Sequence, residues 1–368
     1  MEQTIYSGAG SCARLPEVFA SLGVKRMLLV CGRSFDRLPI RTAIEAMDVE
    51  LVRFSDFRPN PDYEDIRKGA ELFNGERCEA ILTVGGGSAI DVAKCVKLYC
   101  KMDPTQNFLR QPCADTGVPL IALPTTAGTG SESTRFAVIY YQGEKQSVKH
   151  DSILPDYVIL EPEVLADLPV YQKKCTLLDA LCQAIESWWS VNSTEESKGY
   201  ARAAIAGIVN NWRAYVFEGG AAEEILRAAN LAGRAINITQ TTAPHAMSYK
   251  MTKLYGLPHG HAVALGLPEV WEYMNADLDG CIDPRGREYL RNALNEIAAA
   301  LGGRTAAEGV AIFRALLAEL GIESPHSECR EKDLDMLAAS VNPVRLKNNP
   351  VALTEDVLRE MYERIVQE

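Results

Sequence analysis

The sequence predicts an α/β domain with a parallel sheet, followed by an all-helical domain. The chain has 368 residues, more than a single core usually supports, so two domains are expected. Up to about residue 160, short aliphatic or β-branched runs alternate with amphipathic segments over short links, which is typical of a parallel sheet flanked by helices. Beyond that point the strand signal ends and Ala-, Leu- and Glu-rich stretches follow at helical spacing. We therefore expect domains at 1–160 and 161–368.

The individual elements follow from these patterns. The predicted strands of the first half are 26–32, 49–54, 79–88, 119–126 and 157–162. The predicted helices between them are 41–47, 64–74 and 90–100. In the second half, helices are predicted at roughly 176–190, 196–217, 221–240, 261–275, 288–301, 305–320 and 354–367. A ligand is expected in the crevice between the two domains.

Charge and composition exclude several classes of partner. The formal net charge is −11, which argues against binding to nucleic acid or to an anionic membrane surface. No stretch approaches the roughly 18 apolar residues that a membrane span requires. The ten cysteines are scattered without paired spacing, which indicates reduced thiols and a cytoplasmic protein.

Two glycine-containing loops directly follow predicted strands. The first, "TVGGGSAIDVAK" (83–94), includes Gly86, Gly87 and Ser88. Glycines allow a backbone to approach a diphosphate closely, and the free N–H groups of a helix start complement its charge. Alone, this loop could be a plain tight turn, because it lacks the spaced G-x-G-x-x-G pattern.

The second loop, "PTTAGTGSESTRF" (124–136), supplies hydroxyl groups from Thr125, Thr126 and Thr129 around two further glycines. Two such loops at the ends of parallel strands are typical of a dinucleotide site. The domain is therefore interpreted as a Rossmann-like dinucleotide-binding domain.

The end of the first predicted strand indicates which nicotinamide cofactor binds. An acidic residue usually occupies this position when the adenosine ribose carries a free 2′-hydroxyl. Here the stretch contains Gly32, Arg33 and Ser34 instead, and a guanidinium suits a 2′-phosphate. This favours NADPH over NADH, although Arg33 could also be an ordinary surface residue after a turn.

The second half contains a candidate metal site. Asp179 and Gln183 lie four residues apart on one face of a predicted helix, and an acid among apolar neighbours is costly to bury without a cationic partner. Gly256 and Pro258 should end the helix that begins near His245, so that His259 can fold back toward it. Asp179, His245 and His259 then provide one oxygen and two nitrogen ligands, which suits a divalent transition metal.

These motifs resemble those of the iron-containing, or group III, alcohol dehydrogenases. The stretches that carry the resemblance are "GGGSAIDVAK" (85–94), "PTTAGTGSE" (124–132), "DALCQAIE" (179–186) and His245 with "PHG" (258–260). The resemblance covers nearly the whole chain. It implies a group III, dehydroquinate synthase-like architecture, in which a nicotinamide cofactor and a divalent metal (Fe²⁺ or Zn²⁺) face each other, and hydride transfer that converts an aldehyde to an alcohol.

The resemblance also implies roles for single residues. Asp179, His245 and His259 match three metal-ligand positions. The fourth ligand of the family is usually histidine, and Gln183 stands there in this chain; an amide oxygen is a weaker donor, so the choice between iron and zinc stays open. The positions that match cofactor contacts are Gly87, Ser88, Thr125, Thr129 and Lys145. Further cofactor-binding candidates in the same two motifs are Gly86, Asp91 and Thr126.

Proton transfer has several candidate residues. The family often carries a second histidine four residues after the first histidine ligand, and this chain has Tyr249 there. We therefore expect the proton to come from Tyr249, His261 or water, with Lys145 as a further catalytic candidate. Cys182 should point about 100° away from each neighbouring ligand on the helix and is interpreted as a packed thiol.

Cationic residues indicate the kind of substrate. In "SVNPVRLKNNPVALTED" (340–356), Arg345 matches a position that lines the substrate pocket in the family, and Lys347 follows closely. Arg135 adds a third candidate beside the threonine loop. A guanidinium there favours a small anionic aldehyde or alcohol, although Arg345 could instead pair with a surface acid.

Within the family, "APHAMSYKMT", "GLPHGHAV" and "RLKNNP" are most similar to a branch that reduces phosphonoacetaldehyde to 2-hydroxyethylphosphonate. A nearby branch, which oxidises the 8-hydroxyl of 3-deoxy-manno-octulosonate, remains an alternative because both substrates are anions.

Two other classes of function stay open. One is a sugar-acid cyclase similar to dehydroquinate synthase, although such enzymes use glutamate as the first ligand, where this chain has Asp179. The other is a nucleotide-binding scaffold whose metal site has decayed at Gln183 and Tyr249. For the dehydrogenase itself we expect a homodimer.

Overall fold

The structure is a computed structural model that describes residues 3–368. Contacts between residues divide the chain into two compact units, Met1–Leu168 and Pro169–Glu368. Each unit is described by itself.

Unit 1 is built on a six-stranded parallel sheet in the order β1-β8-β5-β4-β2-β3. These strands are β1 Thr4–Ser7, β2 Arg26–Cys31, β3 Glu50–Phe54, β4 Ala80–Gly85, β5 Leu120–Pro124 and β8 Tyr157–Leu160. The helices of this unit are α1 Leu15–Leu22, α2 Arg41–Glu45, α3 Tyr63–Gly75 and α4 Gly87–Tyr99. Strands β4 and β5 are buried along their whole length, which is typical of a parallel sheet covered on both faces.

Three parts of unit 1 were not predicted. Strand β1 and helix α1 carry short, partly exposed patterns that give little periodic signal. The third part is an antiparallel hairpin of β6 Phe136–Tyr141 and β7 Glu144–Lys149. Gln142 (φ 54°) and Gly143 (φ 78°) form its two-residue turn, as expected for a turn that needs two left-handed residues. The polar sequence of β7 lacks the aliphatic run by which the other strands were predicted.

Unit 2 is helical, as the sequence predicts. Its helices are α5 Val170–Trp189, α6 Glu195–Arg213, α7 Ala222–Thr239, α8 Ala243–Tyr255, α9 His259–Ala276, α10 Arg287–Ala300, α11 Ala306–Leu320, α12 Arg330–Ala339, α13 Pro343–Leu346 and α14 Glu355–Ile365. Within residues 3–368, none of the helices is long and apolar enough to cross a membrane.

Helix α5 is the central helix of unit 2, because α6, α7 and α9 all pack against it. It is buried on every side over most of its length, as expected of a helix enclosed by other helices. At its end, Trp189 packs edge-to-face on Trp271, with ring centroids 5.9 Å apart, and donates a hydrogen bond to the Thr242 hydroxyl. This packing fixes α5 relative to α9 and to the start of α8, and these are the helices that carry the predicted metal ligands.

Candidate functional site

The break between α8 and α9 brings two histidines together, as the sequence predicts. Gly256 ends α8 in the left-handed conformation, with φ of 66°, which a glycine adopts without strain. Pro258 then caps α9, so that His259 is the first residue of that helix. The chain reverses within three residues, and the rings of His245 and His259 lie 5.3 Å apart.

Asp179, His245 and His259 form a three-residue cluster. Each offers one potential ligand atom, and these atoms all lie within 4.8 Å of one another. Asp179 and His245 are buried, whereas His259 is half-buried. The separation of His245 Nε2 from Asp179 Oδ1 is 3.3 Å. The structure therefore brings together the three residues proposed as metal ligands.

Gly260 allows the start of α9 to approach α5 at this point. A side chain here would place its Cβ 1.9 Å from the carbonyl oxygen of Cys175 and 2.9 Å from Cβ of Asp179. Neither the α5 backbone nor the cluster could accept that atom without moving. The glycine after His259 is thus required by close packing of the two helices beside Asp179.

Glu186 was not predicted as part of the site, and it sets the protonation of His245. Its Oε1 lies 2.5 Å from His245 Nδ1, and its Oε2 accepts hydrogen bonds from the Thr242 N–H and hydroxyl. A carboxylate at Nδ1 holds a proton on that nitrogen, so Nε2, which faces Asp179, is the nitrogen that could bind a metal. The available signal was the spacing of Glu186, seven residues after Asp179 and hence on the same helix face.

The tautomer of His259 is set by Ser248. The Ser248 hydroxyl donates to the carbonyl oxygen of His245 at 2.8 Å. Its oxygen lies 3.3 Å from His259 Nδ1 and accepts from that nitrogen, because the only proton of the hydroxyl is already used. In this tautomer Nε2 is the nitrogen of His259 that could bind a metal.

The charges of this cluster favour a bound cation. Burial alone would lower the pKa of His245, but Glu186 and Asp179 outweigh it and raise that pKa to about 9. Burial would also raise the pKa of Asp179, yet His245 and His259 hold it below its ordinary value. His245 Nε2 is buried and has no hydrogen-bond partner among residues 3–368. With its pKa at about 9, the metal-free His245 is an imidazolium at neutral pH, and a divalent ion would take the place of its Nε2 proton beside Asp179. A ring nitrogen and a carboxylate oxygen inside a region that stabilises positive charge fit such an ion.

Gln183 lies beside the cluster, as its spacing predicts. Its Nε2 donates to Asp179 Oδ1 at 3.2 Å, and its Oε1 is buried. In this orientation the amide nitrogen, not the oxygen, faces the carboxylate. The side chain is close enough to orient Asp179, and it needs a rotated amide to offer its oxygen as a fourth ligand.

Tyr249 and Arg345 extend the site beyond the cluster. The Tyr249 ring stacks on His259, with centroids 5.7 Å apart and an interplanar angle of 4°. Arg345, on α13, donates from Nη1 to the Tyr249 hydroxyl at 3.0 Å. Arg345 is half-buried and Lys347 is exposed. Of the predicted substrate cations, Arg345 is therefore connected to the cluster through Tyr249.

His261 and Cys182 have packing partners. The ring nitrogens of His261 lie 2.8 Å from the Tyr171 hydroxyl and 2.8 Å from the Glu323 carbonyl oxygen, and burial lowers its pKa. With both nitrogens occupied, the geometry favours a packing role over proton transfer. Cys182 is fully buried, and burial raises the pKa of its thiol, as expected of a packed thiol.

In unit 1, the two predicted loops face each other at the carboxyl ends of β4 and β5. Those strand ends are neighbours in the sheet. A Cβ at Gly86 would lie 3.2 Å from the Thr126 hydroxyl oxygen, and one at Gly87 would lie 2.8 Å from Cγ2 of Thr129. Thr125 N donates to the Gly85 carbonyl oxygen at 3.0 Å. The glycines leave room for the threonine side chains of the opposite loop.

Asp91 holds the threonine loop in place. Its two oxygens accept from the Ser131 hydroxyl at 2.7 Å and from the Val138 N–H at 3.0 Å. Burial raises the pKa of this carboxyl against the opposing charges of Lys94 and Lys145. Because both oxygens are bonded within the protein, the structure favours a supporting role for Asp91 over direct cofactor contact.

Lys94 belongs to the same network and was not predicted. Four oxygens lie within hydrogen-bonding distance of its Nζ and share its three N–H groups: the carbonyl and hydroxyl oxygens of Ser131, the Thr134 hydroxyl and the Phe136 carbonyl. Burial lowers the pKa of Lys94 to about 8, with Asp91 opposing the shift. At neutral pH the ammonium therefore persists and joins α4 to the threonine loop. Only the position of Lys94 at the end of the "GGGSAIDVAK" motif could have indicated this role.

The remaining predicted residues of unit 1 lie near the same sheet edge or on the hairpin. Gly32 follows β2, a neighbour of β4, and Arg33 and Ser34 are exposed at the start of a short 3₁₀ helix. Ser88 accepts a hydrogen bond from the Asn60 N–H. Lys145 lies on β7.

Arg135 is paired with an acid in the structure. Its Nη1 lies 2.8 Å from Asp151 Oδ1. Arg135 would have to give up this surface ion pair in order to bind a substrate anion. We therefore keep Arg345, and not Arg135, as the main candidate for substrate binding.

Both units match one family of metal-dependent dehydrogenases. The family model for iron-containing alcohol dehydrogenases matches residues 2–162, and the model for the C-terminal part of the Fe-containing alcohol dehydrogenase family matches residues 174–366. The chain belongs to this family. It is an oxidoreductase that acts on CH–OH groups with NAD or NADP, and its architecture is the predicted α/β sheet unit plus helical unit.

Several individual proteins are similar to this chain. The chain is 34% identical over 352 residues to the phosphonoacetaldehyde reductase of Streptomyces viridochromogenes, covering 90% of this chain and 88% of that protein. Among solved structures it is similar to a sulfoacetaldehyde reductase from Bifidobacterium kashiwanohense in complex with NAD⁺, with 28% identity, a TM-score of 0.88 and coverage of 99% and 96%. An iron-containing alcohol dehydrogenase from Thermococcus thioreducens gives a TM-score of 0.90 at 25% identity, with coverage of 99% and 98%.

Proposed function

We propose that this enzyme uses NADPH and a bound divalent metal to reduce phosphonoacetaldehyde to 2-hydroxyethylphosphonate. The observation that carries the proposal is the Arg345 guanidinium, which is connected through Tyr249 to the metal-ligand candidate His259. A fixed positive charge beside the reacting carbonyl suits a small aldehyde with an anionic group. The similarity to the Streptomyces reductase supports the phosphonate as that group.

The metal is held, in this proposal, by Asp179, His245 and His259, with Gln183 as the candidate fourth ligand. When bound, Fe²⁺ or Zn²⁺ supplies a positive charge that stabilises negative charge developing on the substrate oxygen. Glu186 and Ser248 hold a ring proton on Nδ1 of each histidine, so that Nε2 is the atom of each ring that would bind the metal. Asp179 and Glu186 together carry two negative charges, which a divalent ion neutralises.

In unit 1, the facing loops of Gly86, Gly87, Thr125, Thr126 and Thr129 are proposed to bind the cofactor diphosphate, with Ser88 beside them. Gly32, Arg33 and Ser34 are proposed to accept the 2′-phosphate of NADPH, and Lys145 to contact the cofactor. Asp91 supports the threonine loop. Tyr249 or water supplies the proton, because the nitrogens of His261 are occupied. The protein is proposed to act as a homodimer.

The direct test is an oxidation assay with NADPH and NADH over matched aldehydes. The values of kcat/KM are compared for phosphonoacetaldehyde, sulfoacetaldehyde, a carboxylate aldehyde and a neutral aldehyde. The metal content of the same enzyme preparation is measured alongside. The proposal expects the highest kcat/KM for phosphonoacetaldehyde with NADPH and stoichiometric cofactor consumption. A higher kcat/KM with sulfoacetaldehyde contradicts the proposal that phosphonoacetaldehyde is the substrate. Activity found only as oxidation of 3-deoxy-manno-octulosonate contradicts it as well. Turnover without cofactor consumption would indicate a cyclase.

Arg345→Ala tests the observation on which the proposal depends. Removing a guanidinium that binds an anion should lower kcat/KM for phosphonoacetaldehyde by about 2 kcal/mol, roughly 30-fold, with a much smaller effect on a neutral aldehyde. Lys332→Ala removes an exposed charge from α12 of the same unit and serves as the control. Equal losses for both aldehydes would contradict anion binding by Arg345.

A further inference from the structure

Tyr249 contacts both the candidate metal site and the candidate anion site. Its ring lies parallel to His259, and its hydroxyl accepts the hydrogen bond from Arg345 Nη1. The Arg345 guanidinium carbon also lies 5.0 Å from the centroid of the Tyr249 ring, within the range of a cation–π contact. One side chain therefore touches a ligand candidate with its face and the arginine with its hydroxyl and ring.

The position of Tyr249 on α8 is fixed by its neighbours. Tyr249 follows His245 by four residues, which places both on one face of the helix. The preceding residue, Ser248, lies 3.3 Å from His259 Nδ1. Two consecutive residues of α8 thus contact His259, one at its ring nitrogen and the other at its ring face. The Tyr249 ring consequently has a defined position relative to the metal-ligand cluster.

Arg345, in contrast, has little else to hold its side chain. It lies on α13, a helix of four residues, next to the exposed Val344. Among residues 3–368 its guanidinium has no carboxylate partner and no hydrogen bond except the one to Tyr249. A long arginine side chain that is ordered only on substrate binding would lose rotamer freedom at that step, which weakens binding.

We propose that Tyr249 is a positioning residue that holds the Arg345 guanidinium as the receptor for the anionic group of the substrate. This inference rests on the proposed function and deepens it. The hydroxyl occupies one N–H group of Nη1 and leaves Nη2 and Nε to bind two oxygens of a phosphonate or sulfonate. Tyr249 thereby determines the preference of the site for short anionic aldehydes over neutral ones.

Tyr249→Phe tests the role, because it keeps the ring on His259 and removes only the hydroxyl. The readout is the ratio of kcat/KM for phosphonoacetaldehyde to kcat/KM for propionaldehyde. We expect this ratio to fall about tenfold, mainly through KM of the anionic aldehyde, as for loss of a hydrogen bond to a charged group. In an Arg345→Ala background, Tyr249→Phe should not change the ratio further. Tyr255→Phe is the matched control, because Tyr255 lies on α8 like Tyr249 and its hydroxyl bonds to Asp333 of α12. This variant should leave the ratio unchanged.

Proton donation by Tyr249 without any positioning of Arg345 gives a different result. In that case Tyr249→Phe lowers kcat equally for both aldehydes, does so in the Arg345→Ala background as well, and leaves the ratio of the two kcat/KM values unchanged, which overturns the proposal. Inhibition of propionaldehyde reduction by methylphosphonate provides a second readout that does not need the proposed substrate. We expect inhibition of the wild type that is about tenfold weaker in Tyr249→Phe. The wild type could show no preference for an anionic aldehyde while methylphosphonate still inhibits Tyr249→Phe more weakly than the wild type. That result contradicts the proposed function and supports the role of Tyr249. If methylphosphonate does not inhibit the wild type, the inference fails.

Discussion

The two candidate binding regions are built on opposite principles. The cofactor region of unit 1 depends on missing side chains, because Gly86 and Gly87 leave the space that Thr126 and Thr129 fill. The metal region of unit 2 depends on buried charge, because two carboxylates surround His245. The first region should therefore be sensitive to added volume, and the second to removed charge or removed donor atoms.

The largest effect is expected for His259→Ala in unit 2. This change removes one of three clustered donors and should abolish both activity and metal retention, because the remaining two donors and Gln183 hold a divalent ion much more weakly. Metal content after dialysis, and the gain in melting temperature on adding Zn²⁺ or Fe²⁺, are the measurements.

His326→Ala is the control for this experiment, since His326 is exposed and its Nδ1 bonds to the Glu368 carbonyl oxygen, away from the metal-ligand cluster. It should retain metal and activity. If His259→Ala also retains both, the ligand assignment is wrong and the contrast between the two regions is lost.

Glu186→Gln should have the next largest effect. The amide keeps the shape of the side chain but removes the charge that fixes the His245 tautomer. Loss of such a supporting carboxylate typically weakens metal binding 10- to 100-fold. A titration with a competing chelator measures this change.

The matched control is Glu296→Gln, which alters the acceptor of the Trp188 N–H outside the cluster. Metal affinity equal to that of the wild type in Glu186→Gln would mean that the short contact to His245 does not support the ligand set.

The same contrast explains what the sequence could predict. Strands β2, β3, β4, β5 and β8 were predictable because each is a continuous aliphatic or β-branched run, and the two loops after β4 and β5 were predictable because glycines and threonines mark them. Asp179, His245 and His259 were found because two breakers, Gly256 and Pro258, make the reversal visible. Glu186 and Lys94 were missed, because a buried charge on a helix is recognised only once its partner from another segment is known.

Gly87→Ala tests the volume argument in unit 1. The added methyl would lie 2.8 Å from Cγ2 of Thr129, and such overpacking costs about 1–3 kcal/mol. We expect weaker NADPH binding and a lower melting temperature, measured by fluorescence titration and thermal unfolding. Adding Thr129→Ala should relieve the melting-temperature loss in part, because it removes the clashing methyl. A double variant no more stable than Gly87→Ala would contradict steric contact between the loops.

The smallest expected effect is that of Gly32→Asp, which adds charge without strain. Gly32 has φ of −81°, and a Cβ there would have only Ser34 Oγ at 4.0 Å nearby, so an aspartate fits the backbone. The carboxylate should repel a 2′-phosphate and accept from a free 2′-hydroxyl. We therefore expect the KM ratio of NADPH to NADH to rise about tenfold, as for one unfavourable charge contact of about 1.4 kcal/mol. Gly32→Asn has the same shape and no charge, so it should shift the ratio far less. An equal shift in both variants would show that volume rather than charge governs this position, and an unchanged ratio in Gly32→Asp would contradict the NADPH assignment.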